Sequence, residues 1–327
     1  MKIGKLSHEE LQQLVLDRLP HQAGTVLHGP GIGLDCAAVR FSDGHVVLTS
    51  DPITGAAADI GRLAIHISCN DIAACGIRPS VLMMVLIAPP DCLADDIRRI
   101  VDQAAAAAQQ LNVSIVGGHT EVSDAVSRFV MITTAIGFTY GDQIIQAGGG
   151  QAGDTLLMTK TAGLEGTAIL ARDQHKRLSP VFSQAELDEA AAMLDAISVI
   201  EEGTVGGGLN VHAMHDATEG GILGACWEVA EAGGLGCIVS PDIIPLEPLT
   251  RRICATLDID PFRLIASGSL ILATDRPDAV ITELAHKGIL CTAIGHLTAD
   301  PRRLVRLPDG TTADLLPPGP DELYKTM

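Results

Sequence analysis

Residues 68–80 read SCNDIAACGIRPS, with Asn70 and Asp71 side by side in a run otherwise made of small and apolar residues. Upstream, Ile60, Leu63 and Ile67, followed by Asn70 or Asp71 and then Ala74, recur at intervals of three and four. That spacing predicts a helix with Asp59 at its N-cap and Gly76 just past its end. The polar pair then lies on or beside the stripe that faces the core. A carboxylate buried there without a partner is strongly unfavourable, so Asp71 requires a hydrogen-bond network, a basic side chain such as Arg78, or a metal ion.

The flanking segments alternate between strand and helix patterns. HVVLTSDPI (45–53) predicts a strand ending at Ser50-Asp51, and SVLMMVLI (80–87) a second one. A helix over 93–111 and strands in VSIVGG (113–118) and FVMITTAIGF (129–138) follow. Further on, DTLLMTK (154–160) predicts a strand, LDEAAAMLDAISVIEE (187–202) one Ala-rich helix and ATEGGILGACWEVAEAGG (217–234) another. Near the start, Ser7 three residues before Glu10 forms a capping box ahead of a short helix. The glycine run QAGGGQAG (146–153) is the best linker candidate. It divides the chain into domains 1–148 and 149–327. The Pro-rich tail LPPGPDELYKTM (316–327) reads as docked in extended form or disordered.

Composition narrows the class. At 327 residues and 47% hydrophobic the chain has two cores' worth of material, and with only 2% aromatics those cores are aliphatic, which favours an α/β fold. A formal charge of −18 excludes a basic nucleic-acid footprint but admits a phosphorylated small molecule bridged to carboxylates by divalent metal. The eight cysteines form no C-x-x-C pair, so they read as reduced thiols of a cytoplasmic protein, and no apolar run is long enough to span a membrane.

Several motifs admit simpler alternatives. No P-loop occurs, and Gly148, Gly150 and Gly153 satisfy G-x-G-x-x-G ahead of a strand instead of between strand and helix. His212, His215, Asp216 and Glu219 invite a zinc site, but Asp216 as N-cap with Glu219 three residues on is the simpler account. Gly220-Gly221 in that first turn leaves bare backbone suited to an anion. Cys36, among alanines, reads as a packing residue. Asp35, Asp51, Asp71 and Glu121 each sit at a strand end or loop tip; singly each is a turn or cap residue, and together they are the hard oxygen donors that Mg²⁺ takes.

These segments together resemble the AIR synthase (PurM-like) superfamily, and within it the HypE-type hydrogenase maturation proteins. The matching elements are GIGLDCAAV (31–39), LTSDPI (48–53), the 61–82 helix and strand with its N-D-I-A, VGGHTEV (116–122), HDATEGGILGACWEVAEAGG (215–234) and LTRRICATLDIDPFRLIASGSLILA (249–273). The resemblance implies an N-terminal domain that forms a dimeric β-barrel with its symmetry mate and a C-terminal α/β domain with a mixed sheet flanked by helices. It implies ATP bound with Mg²⁺ in the cleft, its γ-phosphate activating an oxygen or being transferred. Asp35, Asp51, Asp71 and Glu121 would hold the metal; Asn70, Gly117, Gly118, His119 and Thr120 would contact phosphate. Asp216 to Gly221 would line the substrate end, with Gly220 and Gly221 at the nucleotide and Asp71, Asp216 and Glu219 in catalytic positions.

The departures are specific. Leu34 replaces the first Asp of the usual pair, Glu219 stands where the pattern has Arg, Ser267-Gly268-Ser269 stands where it has Glu-Gly, and the tail lacks the C-terminal cysteine that accepts the carbamoyl group. The leading expectation is a Mg²⁺- and ATP-dependent enzyme acting on a small-molecule or carbamoyl/amide-type acceptor. Its alternative is a non-catalytic nucleotide-binding accessory protein, working with a partner in metalloenzyme maturation. A remoter one is a carboxylate-rich metal-binding protein with no nucleotide role.

Overall fold

The computed structural model describes residues 36–54, 58–141 and 144–326, together with Glu9, Gln12, residues 26–28, Gly31 and Leu34. Of the expected helix after Ser7, Glu9 and Gln12 are described and are helical, while the rest of it and the metal candidate Asp35 lie outside the described residues. No helix among the described residues is long and apolar enough to cross a membrane.

Two sheets organise the chain. The first runs in the order β1-β2-β3-β6-β4-β5, from β1 (Val26–His28), β2 (Ala37–Phe41), β3 (Gly44–Ile53), β4 (Pro79–Ala88), β5 (Ser114–Val122) and β6 (Val130–Thr139). Its pairings are antiparallel except β4 with β5, which run parallel because helix α2 (Ala94–Leu111) carries the chain between them. The second is ordered β13-β12-β9-β11-β7-β10-β8, from β7 (Thr155–Thr159), β8 (Ala213–Asp216), β9 (Gly236–Val239), β10 (Leu270–Thr274), β11 (Cys291–Thr298), β12 (Arg303–Arg306) and β13 (Thr312–Asp314). Helices α3 (Leu164–Asp173), α4 (Gln184–Ala192), α5 (Ile200–Leu209), α6 (Gly221–Ala232), α7 (Pro248–Leu257) and α8 (Pro277–His286) belong to this half. The fold is thus α/β with two mixed sheets, as the alternation of patterns requires.

The opening stretch lies in helix α1 (Ile60–Ala74), which is buried on nearly every side: only Arg62 and Ile67 fall short of burial. It packs on β3, β6 and α2 of its own half and on α5 and β8 of the other. One apolar cluster accordingly joins Ile65, Cys69 and Ile72 to Met214, Leu270 and Leu272 across the two halves. A helix enclosed all round shows a weak stripe, so its polar residues carry more information than its apolar ones. At the contact with α5 a Cβ on Gly203 would stand 2.0 Å from the Ala73 carbonyl oxygen, and the two helix backbones touch because that Cβ is missing. Gly203→Ala is expected to cost about 1–3 kcal/mol through overpacking, read as a lower melting temperature.

Three local expectations change. The 146–153 glycine run is a packed junction: residues 147–149 form a 3-10 turn, and a Cβ on Gly148 or Gly149 would meet the carbonyl of Ala232 at 2.6 Å or of His212 at 2.2 Å. The Ala-rich segment 187–202 is broken, with α4 ending at Ala192, a 3-10 turn over Met193–Ala196 and α5 starting at Ile200. Asp59 stands at the N-cap of α1, but its side chain makes no cap hydrogen bond and pairs with Arg172 of α3.

Candidate functional site

Helix α1 is held over the first sheet by a buried hydroxyl pair. Ser68 Oγ and Thr133 Oγ1 lie 2.6 Å apart, and Thr133 Oγ1 donates to the Ala64 carbonyl at 2.7 Å. That anchor sets the turn carrying Asn70 and Asp71 against β3. Thr49 Oγ1 lies 2.7 Å from Asp71 Oδ2 and 3.2 Å from Asp51 Oδ2, so one hydroxyl links the two carboxylates. Arg78 is engaged elsewhere, with Glu201 and not Asp71. Asp51 and Asp71 therefore stand as a pair of hard oxygen donors at the end of β3, beneath α1.

Asn70 faces the opposite way. Its Nδ2 donates to the Ile197 carbonyl at 2.9 Å and its Oδ1 accepts from the Val199 amide at 2.9 Å, in a fully buried setting. Both functions of the amide are spent on the second half of the chain. This clamp also accounts for the break between α4 and α5, since residues 197–199 serve Asn70 in place of a helical ladder. Beside it, Lys160 Nζ donates to the carbonyls of Ser198 at 2.6 Å and Gly268 at 2.8 Å and pairs with buried Glu202 at 2.5 Å.

Gly117, Gly118, His119, Thr120 and Glu121 form not a loop but most of β5, an exposed edge strand. His119 Nε2 and Glu121 Oε2 are 3.2 Å apart on that edge. The register places Asp51 opposite Thr133, Thr133 opposite Met84 and Met84 opposite Gly118. β5 is thus three strand spacings from β3, about 14 Å along the sheet. The chain brings together Asp51 and Asp71 but not Glu121, and no group of three or more metal-binding side chains forms among the described residues.

Asp216 is the last residue of β8, paired opposite Leu270, and not a helix N-cap. The N-cap of α6 is Gly220, because the connecting turn takes φ of +87° at Gly220 and +62° at Gly221. A Cβ on Gly221 would lie 2.6 Å from the Phe262 carbonyl oxygen, so the pair answers to backbone geometry. His212 and His215 separate as well, the first bonded to Asp154 at 2.9 Å and the second to Glu228 at 3.0 Å.

The tail docks on the α6 N-terminus. Asp321 Oδ2 accepts from the Gly220 amide at 2.8 Å and Oδ1 from the Leu323 amide at 2.8 Å, while Tyr324 Oη donates to Glu219 Oε1 at 3.2 Å. Leu323 enters the cluster formed by α3, α4 and α7. Beneath the tail lies Glu165, which burial pushes up to about 7 against the opposing pull of Ser267, with Asp321 and Glu219 adding to the rise. Burial also lifts Asp321 to about 6 and, with Glu219, Tyr324 to about 12. Thr49, Glu165 and Asp321 escape sequence reasoning. Thr49 carried a signal, since residues two apart on a strand share a face and Asp51 is its neighbour.

With this geometry in view, residues 33–139 match the model of the AIR synthase related protein N-terminal domain and 151–307 that of its C-terminal domain. A Methanocaldococcus jannaschii protein provisionally assigned to hydrogenase expression and formation is 31% identical over 84% of this chain and 82% of its own. The carbamoyl dehydratase HypE of Rhizobium leguminosarum is 28% identical over 84% and 80%. Among solved structures, a HypE–HypF complex superposes with a TM-score of 0.77 at 21% identity, covering 94% of this chain and 99% of that one. HypE in complex with ATP gives 0.73 at 22% identity, covering 98% and 97%. The chain belongs to the AIR synthase related proteins, and its relatives are HypE-type hydrogenase expression proteins.

Proposed function

We propose that the chain is a Mg²⁺-dependent, ATP-binding enzyme of HypE type that uses the γ-phosphate to activate or phosphorylate a small-molecule or carbamoyl/amide-type acceptor. The observation that carries this is the Asp51–Thr49–Asp71 link, two carboxylates set by one hydroxyl at the foot of α1. The donor set fits the ion, since Mg²⁺ takes carboxylate and phosphate oxygens together. Asp51 and Asp71 would hold it, joined by Asp35; when bound it neutralises charge on the transferring phosphate. Thr49 keeps both carboxylates aimed, and Asn70 fixes the turn that carries Asp71 by locking its neighbour to residues 197–199. Gly117 to Thr120 would meet phosphate, while Asp216, Glu219, Gly220 and Gly221 stand at the acceptor end.

Exposure of the first sheet supports a homodimer. Val116 and Val122 on β5 and Phe138 on β6 are more than half exposed, Met83 on β4 is 47% exposed, and among the described residues no strand pairs with the outer edge of β5. Pairing two copies there would cover that apolar face and offers a route by which Glu121 of one copy approaches Asp51 and Asp71 of the other. Val116→Glu is expected to convert a dimer into a monomer in light scattering at micromolar concentration; an unchanged dimer would place the interface elsewhere.

Turnover separates the enzyme from an accessory role. ADP or phosphate release with candidate acceptors, lost in Asp71→Asn, supports the first. One observation favours the second: the docked tail covers Gly220 and Glu219, where an acceptor would stand. In that case nucleotide binds, no acceptor elicits turnover, and a maturation protein co-purifies as partner.

A further inference from the structure

Two buried carboxylates, Glu165 and Asp321, and a half-buried one, Glu219, influence one another where the C-terminal tail docks. Glu165 is 3% exposed and its Oε2 is aimed away from any hydrogen-bond partner, while Ser267, wholly buried, stands beside its carboxyl group. Asp321 is 2% exposed and is delivered by the tail itself, and Glu219 comes from the turn before α6. Among the described residues no ion pair reaches any of the three. The neighbouring charges are committed elsewhere. On α7, Arg252 pairs with Glu186 and stacks on Phe182; Arg263 donates to the Leu316 carbonyl; Glu322 accepts from the Asp260 amide and Lys325. Tyr324 donates to Glu219 and so supplies no charge.

Burying Glu165 and Asp321 near half-buried Glu219 without a cation is strongly unfavourable if all are ionised. We propose that the tail is held by a proton: Glu165 carries it on Oε2 in the docked state, and its loss to solvent releases residues 318–326 from the α6 N-terminus. Undocking removes Asp321 and admits water to Glu165, so both carboxyls return towards ordinary values. Because the docked state holds them raised, from 4.5 to about 7 for Glu165 and from 3.8 to about 6 for Asp321, it takes up protons. The grip is full below the ordinary values, is lost as pH rises through that window and is weakest above about 7. On the function proposed above, and only on it, the acidic form is the one with its acceptor end covered.

Amide hydrogen exchange of the full chain, followed by mass spectrometry on residues 316–327 and corrected for intrinsic rates, tests this at pH 5.5 and 8.5. The tail's protection is expected to fall about tenfold or more at the higher pH, since one pK unit corresponds to a factor of ten. Glu165→Gln, isosteric with the protonated acid, should keep the tail protected at both values. If that variant does not fold, Asp321→Asn, which removes one raised carboxyl and leaves Glu165 to titrate, should narrow the dependence without abolishing it. Equal wild-type protection at the two pH values, or a Glu165→Gln tail that follows the wild type, overturns the proposal. No nucleotide is present, so this result and the ATP result can fail separately.

Discussion

Replacing Asp71 by Asn is expected to abolish the Mg²⁺-dependent part of ATP affinity while leaving the fold intact. The substitution keeps shape and removes the charge, and the Thr49 hydroxyl still finds an amide oxygen to donate to. Contacts to a charged group are worth about 1.5–3 kcal/mol and each 1.4 kcal/mol is tenfold, so a loss of about two orders of magnitude follows once the metal and its phosphate contacts go together. Thr49→Val should fall between wild type and Asp71→Asn, by about tenfold, because both carboxylates remain but the hydroxyl linking them is gone. Titration calorimetry with Mg²⁺ present reads both. Wild-type affinity in Asp71→Asn would remove Asp71 from the metal set.

Asn70→Ala is expected to be the most destabilising substitution in α1 that leaves its helical propensity unharmed. It strands the buried Ile197 carbonyl and the Val199 amide, each of which has the Asn70 side chain 2.9 Å away. A buried polar group left without a partner costs about 1–3 kcal/mol, so the pair costs about 2–6 kcal/mol. For domains of this size that is about 5–20 °C in melting temperature. Asn70→Asp should recover only the Val199 bond, and it adds a charge where none is solvated. A melting temperature within a degree of wild type for Asn70→Ala would show that the two halves are held by the apolar cluster alone. The same clamp predicts that nucleotide affinity falls in Asn70→Ala through misplacement of Asp71.

The order of elements was legible because period-two and period-3.6 patterns alternate cleanly, and Asn70-Asp71 announced itself as polar residues on a buried helix. What each side chain meets was not. The two sit side by side in sequence yet face different halves of the molecule, Asn70 reaching residues 197–199 and Asp71 reaching Thr49. Asp216 resembled a cap because the spacing to Glu219 fits a capping box; the positive φ of Gly220 and Gly221 delays the helix instead. The 148–150 glycines resembled a linker because sequence does not distinguish room for motion from backbone contact. Glu121 appeared with the other carboxylates because pairing order, which puts β5 at the edge and β3 three strands away, is a property of the fold and not of any local window. The tail's role was hidden for the same reason, since Asp321 and Gly220 are 101 positions apart.

The decisive measurement is titration of ATP into the wild-type protein with Mg²⁺ and then with chelator. The Asp51–Thr49–Asp71 site predicts saturable binding that weakens at least about tenfold when the metal is withheld, since charge neutralisation of the triphosphate then depends on a chain that is itself acidic. Absence of ATP binding in both conditions would rule out a nucleotide site in this cleft.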